Sequence, residues 1–94
     1  MKILRKRPGE PWEFADVENT LEALQAEVGG YIEAVSFLSD ACLLVNEEGI
    51  LRGLPYNVNF AGLPLVGTVL MAGVNGDEFC DVPLARTDLR ILPV

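Results

Sequence analysis

The chain has 94 residues, 50% of them hydrophobic, and carries 14 acidic against 7 basic residues, for a net charge of −7. This length and composition predict one folded domain rather than a disordered chain, and its apolar stretches are too short to span a membrane. Four of the basic residues lie within residues 1–7, so the rest of the chain sums to 3 minus 14, or −11. Because such a body repels a phosphate backbone, neither nucleic acid nor membrane is expected as a partner.

Segment 1–7 is basic and is predicted to be the first strand, or a solvated arm that pairs with acidic groups on the same chain. The turn residues Pro8–Pro11 follow it instead of an apolar stretch, so we expect no secretory signal and a cytoplasmic protein. Residues Trp12–Val17 alternate apolar and polar side chains, as a half-buried strand does. The two runs predict a hairpin that brings Trp12, Phe14 and Ala15 near the core.

A short helix is predicted over residues 19–28. Asn19 is placed to cap its first turn by accepting from backbone N–H groups. Gly29 is expected to end it, because glycine enters the left-handed conformation without a Cβ penalty. Three apolar side chains recur at spacings of three and four and therefore share one face. They are Leu21, Leu24 and Val28, and we expect them to pack against Val35, Leu43, Val45, Val69 and Met71.

The rest of the chain predicts mostly strands. Residues 31–52 predict a three-strand meander, with a turn at Asn46–Gly49 and a third strand from Ile50. Segment 53–64 is rich in Gly, Pro and Asn and predicts a long irregular loop. The remaining predictions are a buried strand over 65–74, a tight turn at Asn75-Gly76, one helical turn within 82–88 and a closing strand over 89–92.

These elements predict a single α+β domain over residues 1–94. Its antiparallel sheet should have five to seven strands, flat or strongly curled, with the helix packed on one face. Half of so small a chain is hydrophobic, so some sheet edges should remain exposed, and we expect a two-fold homodimer.

Few side chains in this sequence suit catalysis. There is no histidine, which removes the commonest general base and metal ligand. Cys42 lies in an apolar run, and Cys80 follows Phe79 in an acidic context without a neighbouring cation, so neither matches the surroundings of a reactive thiol. Two cysteines are too few for a disulfide framework. We therefore expect no cofactor, no metal site and no enzymatic activity.

The loop 53–64 is the predicted ligand site. Its aromatic side chains would stack on a planar ring, and its asparagines would bond the edge of that ring. Glycine N–H groups and one arginine would approach a phosphate. The residues are Arg52, Gly53, Tyr56, Asn57, Asn59 and Phe60. This combination suits a nucleotide-derived ligand. The alternative is that Tyr56 and Phe60 cover the sheet while the asparagines only turn the chain.

Asn46 and Glu47 form a secondary candidate site, because an amide and a carboxylate are hard oxygen ligands. Adjacent residues of an extended segment point to opposite faces, however, and rarely share one ion. The alternative is a solvated hairpin turn at this position.

Five blocks of the sequence occur in an order that is familiar from one family. They are Glu18–Gln25 (ENTLEALQ), Val28–Glu33 (VGGYIE), Asn46–Gly49 (NEEG), Gly53–Asn57 (GLPYN) and Gly67-Thr68 (GT). Over residues 1–80 the series resembles the domain-of-unknown-function family numbered 3846, which occurs in phages, plasmids and bacteria. The resemblance implies a mobile-element setting in a bacterial host, where small accessory proteins often interfere with host defences. It brings no established activity and no catalytic residue.

Two functions are carried forward as hypotheses. The first is a non-enzymatic phage or mobile-element accessory protein that captures a small nucleotide-like ligand, such as a host defence signal. The alternative is an acidic interaction module that inhibits or recruits a host protein through a sheet edge or the aromatic loop. An enzyme is disfavoured, because no pair of nucleophile and base is recognisable.

Overall fold

Eight strands, one α-helix and one 3₁₀ turn make up the part of the chain that the computed structural model describes, residues 1–88, 92 and 93. In chain order they are β1 (Lys2–Lys6), β2 (Glu13–Asp16), α1 (Leu21–Val28), β3 (Ile32–Leu38), β4 (Ala41–Asn46), β5 (Tyr56–Phe60), β6 (Leu63–Val66), β7 (Val69–Asn75), β8 (Glu78–Cys80) and the 3₁₀ turn (Leu84–Arg86). The predicted single α+β domain is confirmed. The closing strand predicted over 89–92 falls mainly on residues outside the described part.

Six of these strands form one antiparallel sheet with the order β2-β1-β7-β4-β3, and β8 pairs with the end of β7. The number agrees with the five to seven strands predicted. The hairpin of β1 and β2 is also confirmed, with Leu4 opposite Phe14. Trp12 packs against the core as predicted, but Phe14 is 55% exposed, so its predicted place near the core is wrong. Strands β5 and β6 form a separate two-stranded sheet. No helix in residues 1–88, 92 and 93 has the length and apolar character needed to cross a membrane.

The central strands are buried on both faces of the sheet. All six residues of β4 are buried, and successive residues belong to opposite cores. The helix face, covered by α1, includes Ile3, Cys42, Leu44, Leu70 and Ala72. The hairpin face, covered by β5 and β6, includes Leu4, Leu43, Val45, Val69 and Met71. Burial on both sides explains the continuous apolar runs in the sequence, since neither set of alternating positions meets water.

The helix packs on the face opposite to the one predicted. Leu24 and Val28 are buried, but among the residues of the helix face. The five predicted partners all belong to the hairpin face instead. Leu21 is 55% exposed, so its predicted burial is also wrong. A strand that is apolar at every position carries no periodic signal to show which side faces the helix.

The two ends of α1 follow different rules. Thr20, not Asn19, caps the first turn, with Oγ1 accepting from the Ala23 N–H at 3.2 Å. The Asn19 side chain instead donates to the Phe79 carbonyl at 2.9 Å. At the other end Gly29 adopts the predicted left-handed conformation, with φ of 79°. The helix is therefore shorter at its start than the predicted 19–28.

Segment 53–64 is mostly a β-hairpin rather than an irregular loop. Strands β5 and β6 pair antiparallel across the two-residue turn Ala61-Gly62, where both φ angles are positive, at 51° and 83°. Such a turn suits the twist of a hairpin. Val58 and Leu65 point onto the hairpin face and are almost completely buried. This burial stabilises the hairpin, although its Asn and Pro residues predict a loop from the sequence alone.

The predicted strand over 65–74 is two strands in different sheets. Gly67 separates β6 from β7 with φ of 73°, and a Cβ there would lie 2.8 Å from Leu54 Cδ1. Only glycine accommodates both the conformation and the close approach. The predicted third strand of the meander is also absent from the described chain, because Ile50 and Leu51 lie in a turn.

Candidate functional site

Several residues of the predicted ligand site have local structural contacts of their own, and Asn57 shows this most clearly. Its side chain is buried, and Nδ2 donates to the carbonyls of Lys6 and Gly67, both at 2.7 Å. Its Oδ1 accepts from Lys6 Nζ, also at 2.7 Å. These bonds tie the hairpin to β1 and leave the amide committed to the fold.

The other predicted residues of β5 point in different directions. Tyr56 is exposed, whereas Phe60 packs partly buried against the hairpin face. Asn59 Oδ1 accepts from the Gly62 N–H at 2.9 Å and so supports the turn of the hairpin. Phe60 therefore packs on the sheet and Asn59 supports the turn, whereas Tyr56 does not cover the sheet. Tyr56 alone among them presents an aromatic ring to solvent.

Arg52 and Gly53 belong to the turn before the hairpin. Arg52 Nη1 donates to the Gly29 carbonyl at 3.0 Å, and its Nη2 lies 3.8 Å from Glu48 Oε1. The guanidinium thus supplies the cation that α1 lacks in its own last turn. Gly53 is exposed and takes a positive φ of 68°.

The secondary candidates have unequal roles. Asn46 is buried, and its Nδ2 donates to the Val28 carbonyl at 3.1 Å while its Oδ1 accepts from the Glu48 N–H at 2.8 Å. The Asn46 amide therefore closes the C-terminal end of α1 and starts the turn. The Glu47 side chain is exposed and lines a cleft.

This cleft has a volume of about 230 Å³. It separates the edge of the six-stranded sheet from β6, and we call it the apolar cleft. One wall comes from β3, β4 and the turn that follows β4, and the other from β6. Its lining is Glu33, Val35, Val45, Asn46, Glu47, Ile50, Leu51 and Leu63–Val66.

Two adjacent aliphatic side chains stand at the rim of the cleft. Ile50 is 72% and Leu51 is 88% exposed. The turn that carries them is held by backbone hydrogen bonds from Gly49 to Asn46, from Arg52 to Glu48, from Gly53 to Ile50 and from Leu54 to Gly49, at 2.9–3.1 Å. Their exposure is thus built into an ordered turn.

Charge is distributed unevenly around the molecule. In the basic segment, Arg5 donates to Glu13 at 2.9 Å and to Glu27 at 2.8 Å. The hydrogen bond from Arg5 holds the pKa of the Glu13 carboxyl below its usual value. Glu33 and Glu47, in contrast, make no ion pair with any residue of the described chain. The cleft therefore has an acidic character.

Both cysteines are free thiols, Cys42 buried and Cys80 half-buried. Burial raises the pKa of the Cys42 thiol to about 11, which keeps it protonated near neutral pH. No group of three Cys, Asp or Glu side chains within residues 1–88, 92 and 93 is arranged to hold a metal ion.

Sequence reasoning missed the apolar side of this cleft. It placed Ile50 and Leu51 in a strand, although only three residues separate Gly49 from Gly53. Two turn glycines so close together leave no room for a strand, and that spacing was the available signal. Leu63 and Glu33 carried no local signal, because they reach the cleft only through tertiary packing.

The comparisons with known proteins identify the family. The family model described as "Domain of unknown function (DUF3846)" matches residues 1–90 of the chain. The chain belongs to this family. Neither the curated proteins nor the solved structures give a significant match.

The blocks that carry the resemblance to DUF3846 are connected in space. Asn46 of NEEG bonds the carbonyl of Val28 next to the VGGYIE glycines. From this turn, Leu54 of GLPYN donates to Gly49 at 3.0 Å. Asn57 of the same block bonds the Gly67 carbonyl of the GT block. The motifs thus form one hydrogen-bonded chain from the helix to the hairpin, and this chain builds the turn that displays Ile50 and Leu51.

Proposed function

We propose that this DUF3846 domain is a non-enzymatic interaction module that holds a segment of another protein at the apolar cleft. The observation that carries the proposal is the exposure of Ile50 and Leu51 on an ordered turn beside that cleft. Grouped exposed apolar side chains with a polar rim are typical of protein-binding surfaces. The hydrogen bonds of the turn also reduce the entropy that binding would cost.

The acidic character of the cleft favours a protein over a nucleotide as the occupant. Glu33 and Glu47 would repel a phosphate, whereas they attract lysine or arginine side chains. The cation predicted to meet a phosphate, Arg52, is engaged at the end of α1. In the mobile-element setting that the family resemblance implies, the partner would be a host protein in the bacterial cytoplasm, inhibited or recruited by this domain.

Capture of a nucleotide-derived defence signal is the second candidate function. Its support is Tyr56, which is exposed and lies opposite Val66, a residue of the cleft lining. An aromatic ring at the edge of a partly apolar cleft is suited to stacking on a base.

A paired capture experiment tests these candidates. The immobilised wild type is compared with Leu51→Asp and with the matched control Leu84→Asp in a bacterial lysate, followed by quantitative mass spectrometry. Leu84 is 80% exposed and does not line the cleft. We expect the captured host protein to be lost with Leu51→Asp and kept with Leu84→Asp. Equal capture by all three proteins would contradict the proposal.

A nucleotide panel run in parallel distinguishes the other classes. The pure protein is incubated with linear and cyclic nucleotides and analysed by mass spectrometry. A nucleotide that is retained intact and released by Tyr56→Ala supports the second candidate. Conversion of any nucleotide would show an enzyme and contradict both.

A further inference from the structure

Strand β3 forms an open edge of the six-stranded sheet. It is the last strand in the order and pairs only with β4. The Glu47 N–H donates to the Tyr31 carbonyl, which makes 31 and 47 a hydrogen-bonded pair. Because such pairs alternate in an antiparallel ladder, Glu33 and Val35 also bond to β4, and Ile32 and Ala34 point their N–H and C=O groups outward. These outward groups have no partner in the described chain.

Two other open edges, those of β2 and β6, are better protected than β3. Strand β2 has four residues, and its Glu13 forms ion pairs with Arg5 and Arg7. Strand β6 also has four residues and contains Pro64, which lacks an N–H group. Strand β3 has seven residues without proline or lysine, although a register shift between Ser36 and Leu38 shortens its regular part. A regular edge of this kind is a template for an added strand.

The side chains next to this edge indicate what such a strand would carry. Glu33 and Val35 of β3 line the apolar cleft, so alternate side chains of an added strand would lie at its mouth. Val35 offers an apolar contact there, and Glu33 and Glu47 offer two carboxylates without an ion pair in the described chain. Apolar and basic side chains would complement this surface.

We propose that β3 binds an extended, lysine- or arginine-containing segment of a partner protein by strand addition, with its alternate side chains entering the apolar cleft. This inference rests on the proposed function and adds to it the conformation and charge of the segment. The main-chain N–H and C=O groups of Ile32 and Ala34 form hydrogen bonds with the added strand, and the cleft selects which side chains that strand carries.

Synthetic peptides test the mode of binding directly. The probe is a capped heptapeptide with threonine at every second position and lysine, valine, lysine and valine at the others, so that lysine and valine share the face that meets the cleft. The first control has glutamate in place of lysine, and the second keeps the lysines but carries N-methyl groups on the backbone nitrogens that face β3. Each is titrated while the backbone amide signals of the protein are followed by NMR. We expect the N-methyl peptide and the glutamate peptide each to bind at least about tenfold more weakly than the lysine peptide.

Protein variants locate the site. Ala34→Pro removes an outward N–H without breaking the ladder to β4, and should weaken the lysine peptide by about tenfold. Glu33→Gln should weaken it less, by roughly threefold to tenfold, since it removes one charge. If Ala34→Pro fails to fold, the N-methyl peptide with the wild type still decides whether main-chain hydrogen bonds are used.

Three outcomes would overturn the inference. They are absence of binding at about millimolar peptide, equal binding of the N-methyl peptide, and a concentration-dependent dimer that Ala34→Pro converts to a monomer. The last would mean that a second copy of this chain occupies β3. None of these three outcomes changes the result expected from the capture test with Leu51→Asp. A failure of strand addition is therefore distinguishable from a failure of the proposed interaction function.

Discussion

Replacing Asn57 by alanine tests whether this residue serves the fold rather than a ligand. The substitution removes two donated hydrogen bonds, to the carbonyls of Lys6 and Gly67, and one accepted from Lys6 Nζ, all of 2.7 Å. Each intramolecular hydrogen bond is worth about 1 kcal/mol net, and an unsatisfied buried group costs about 1–3 kcal/mol. Gly67 is buried, whereas Lys6 is half-buried and regains some contact with water. We therefore expect a loss of about 2–4 kcal/mol.

The assay is equilibrium unfolding in urea, followed by the fluorescence of Trp12, the one tryptophan of the chain. The matched control is Asn59→Ala in the same strand, which loses one hydrogen bond in an exposed turn and should cost about 0.5–1 kcal/mol. Asn57→Asp keeps the acceptor for Lys6 but cannot donate to the two carbonyls, so it should be destabilising as well. If Asn57→Ala and Asn59→Ala differ by less than about 0.5 kcal/mol, the structural role assigned to Asn57 is refuted.

Two further predictions concern the core on the helix face. Leu24→Ala should cost about 2–5 kcal/mol in a urea melt, because Leu24 is 1% exposed. The control Leu21→Ala, on the exposed side of α1, should stay within about 1 kcal/mol of the wild type, and equal losses would contradict the docking of the helix. In the Cys80→Ser variant Cys42 is the single thiol. At pH 8 a thiol reagent should label Cys42 much more slowly in the native protein than in the protein unfolded by urea. Because the pKa of Cys42 is raised to about 11 in the fold, its contribution to stability is full below the pKa of the unfolded thiol and falls as the pH rises toward 11. A native thiol that labels as fast as the unfolded one would contradict this.

Local signals were enough for much of the secondary structure. The alternation of Trp12–Val17 predicted β2, and Gly29 predicted the end of α1. The dipeptide Asn75-Gly76 predicted the turn between β7 and β8. Each of these depends on side chains within a few residues of one another, so the physical cause is contained in the segment itself.

Several residues of the predicted ligand site make structural hydrogen bonds that their chemical type alone could not predict. An amide such as that of Asn57 suits a ligand or a buried carbonyl equally well, and only the approach of β1 decides between them. Arg52 is a similar case, because the end of α1 lies within reach of its guanidinium. Contacts between segments so far apart in sequence leave no local periodicity.

Composition and local patterns were enough to predict the class of the domain, the positions of α1 and of β1 to β4 to within a few residues, and the net negative charge. Those properties follow from composition and from periodicities of 2 and 3.6 residues. Long-range packing, in contrast, sets which face of the sheet receives α1, because both faces of β4 are apolar. It also decided that β3, the turn of Ile50 and Leu51, and β6 enclose one cleft. That cleft forms because Val58 and Leu65 bury the hairpin on the sheet, a long-range packing event that no single segment encodes.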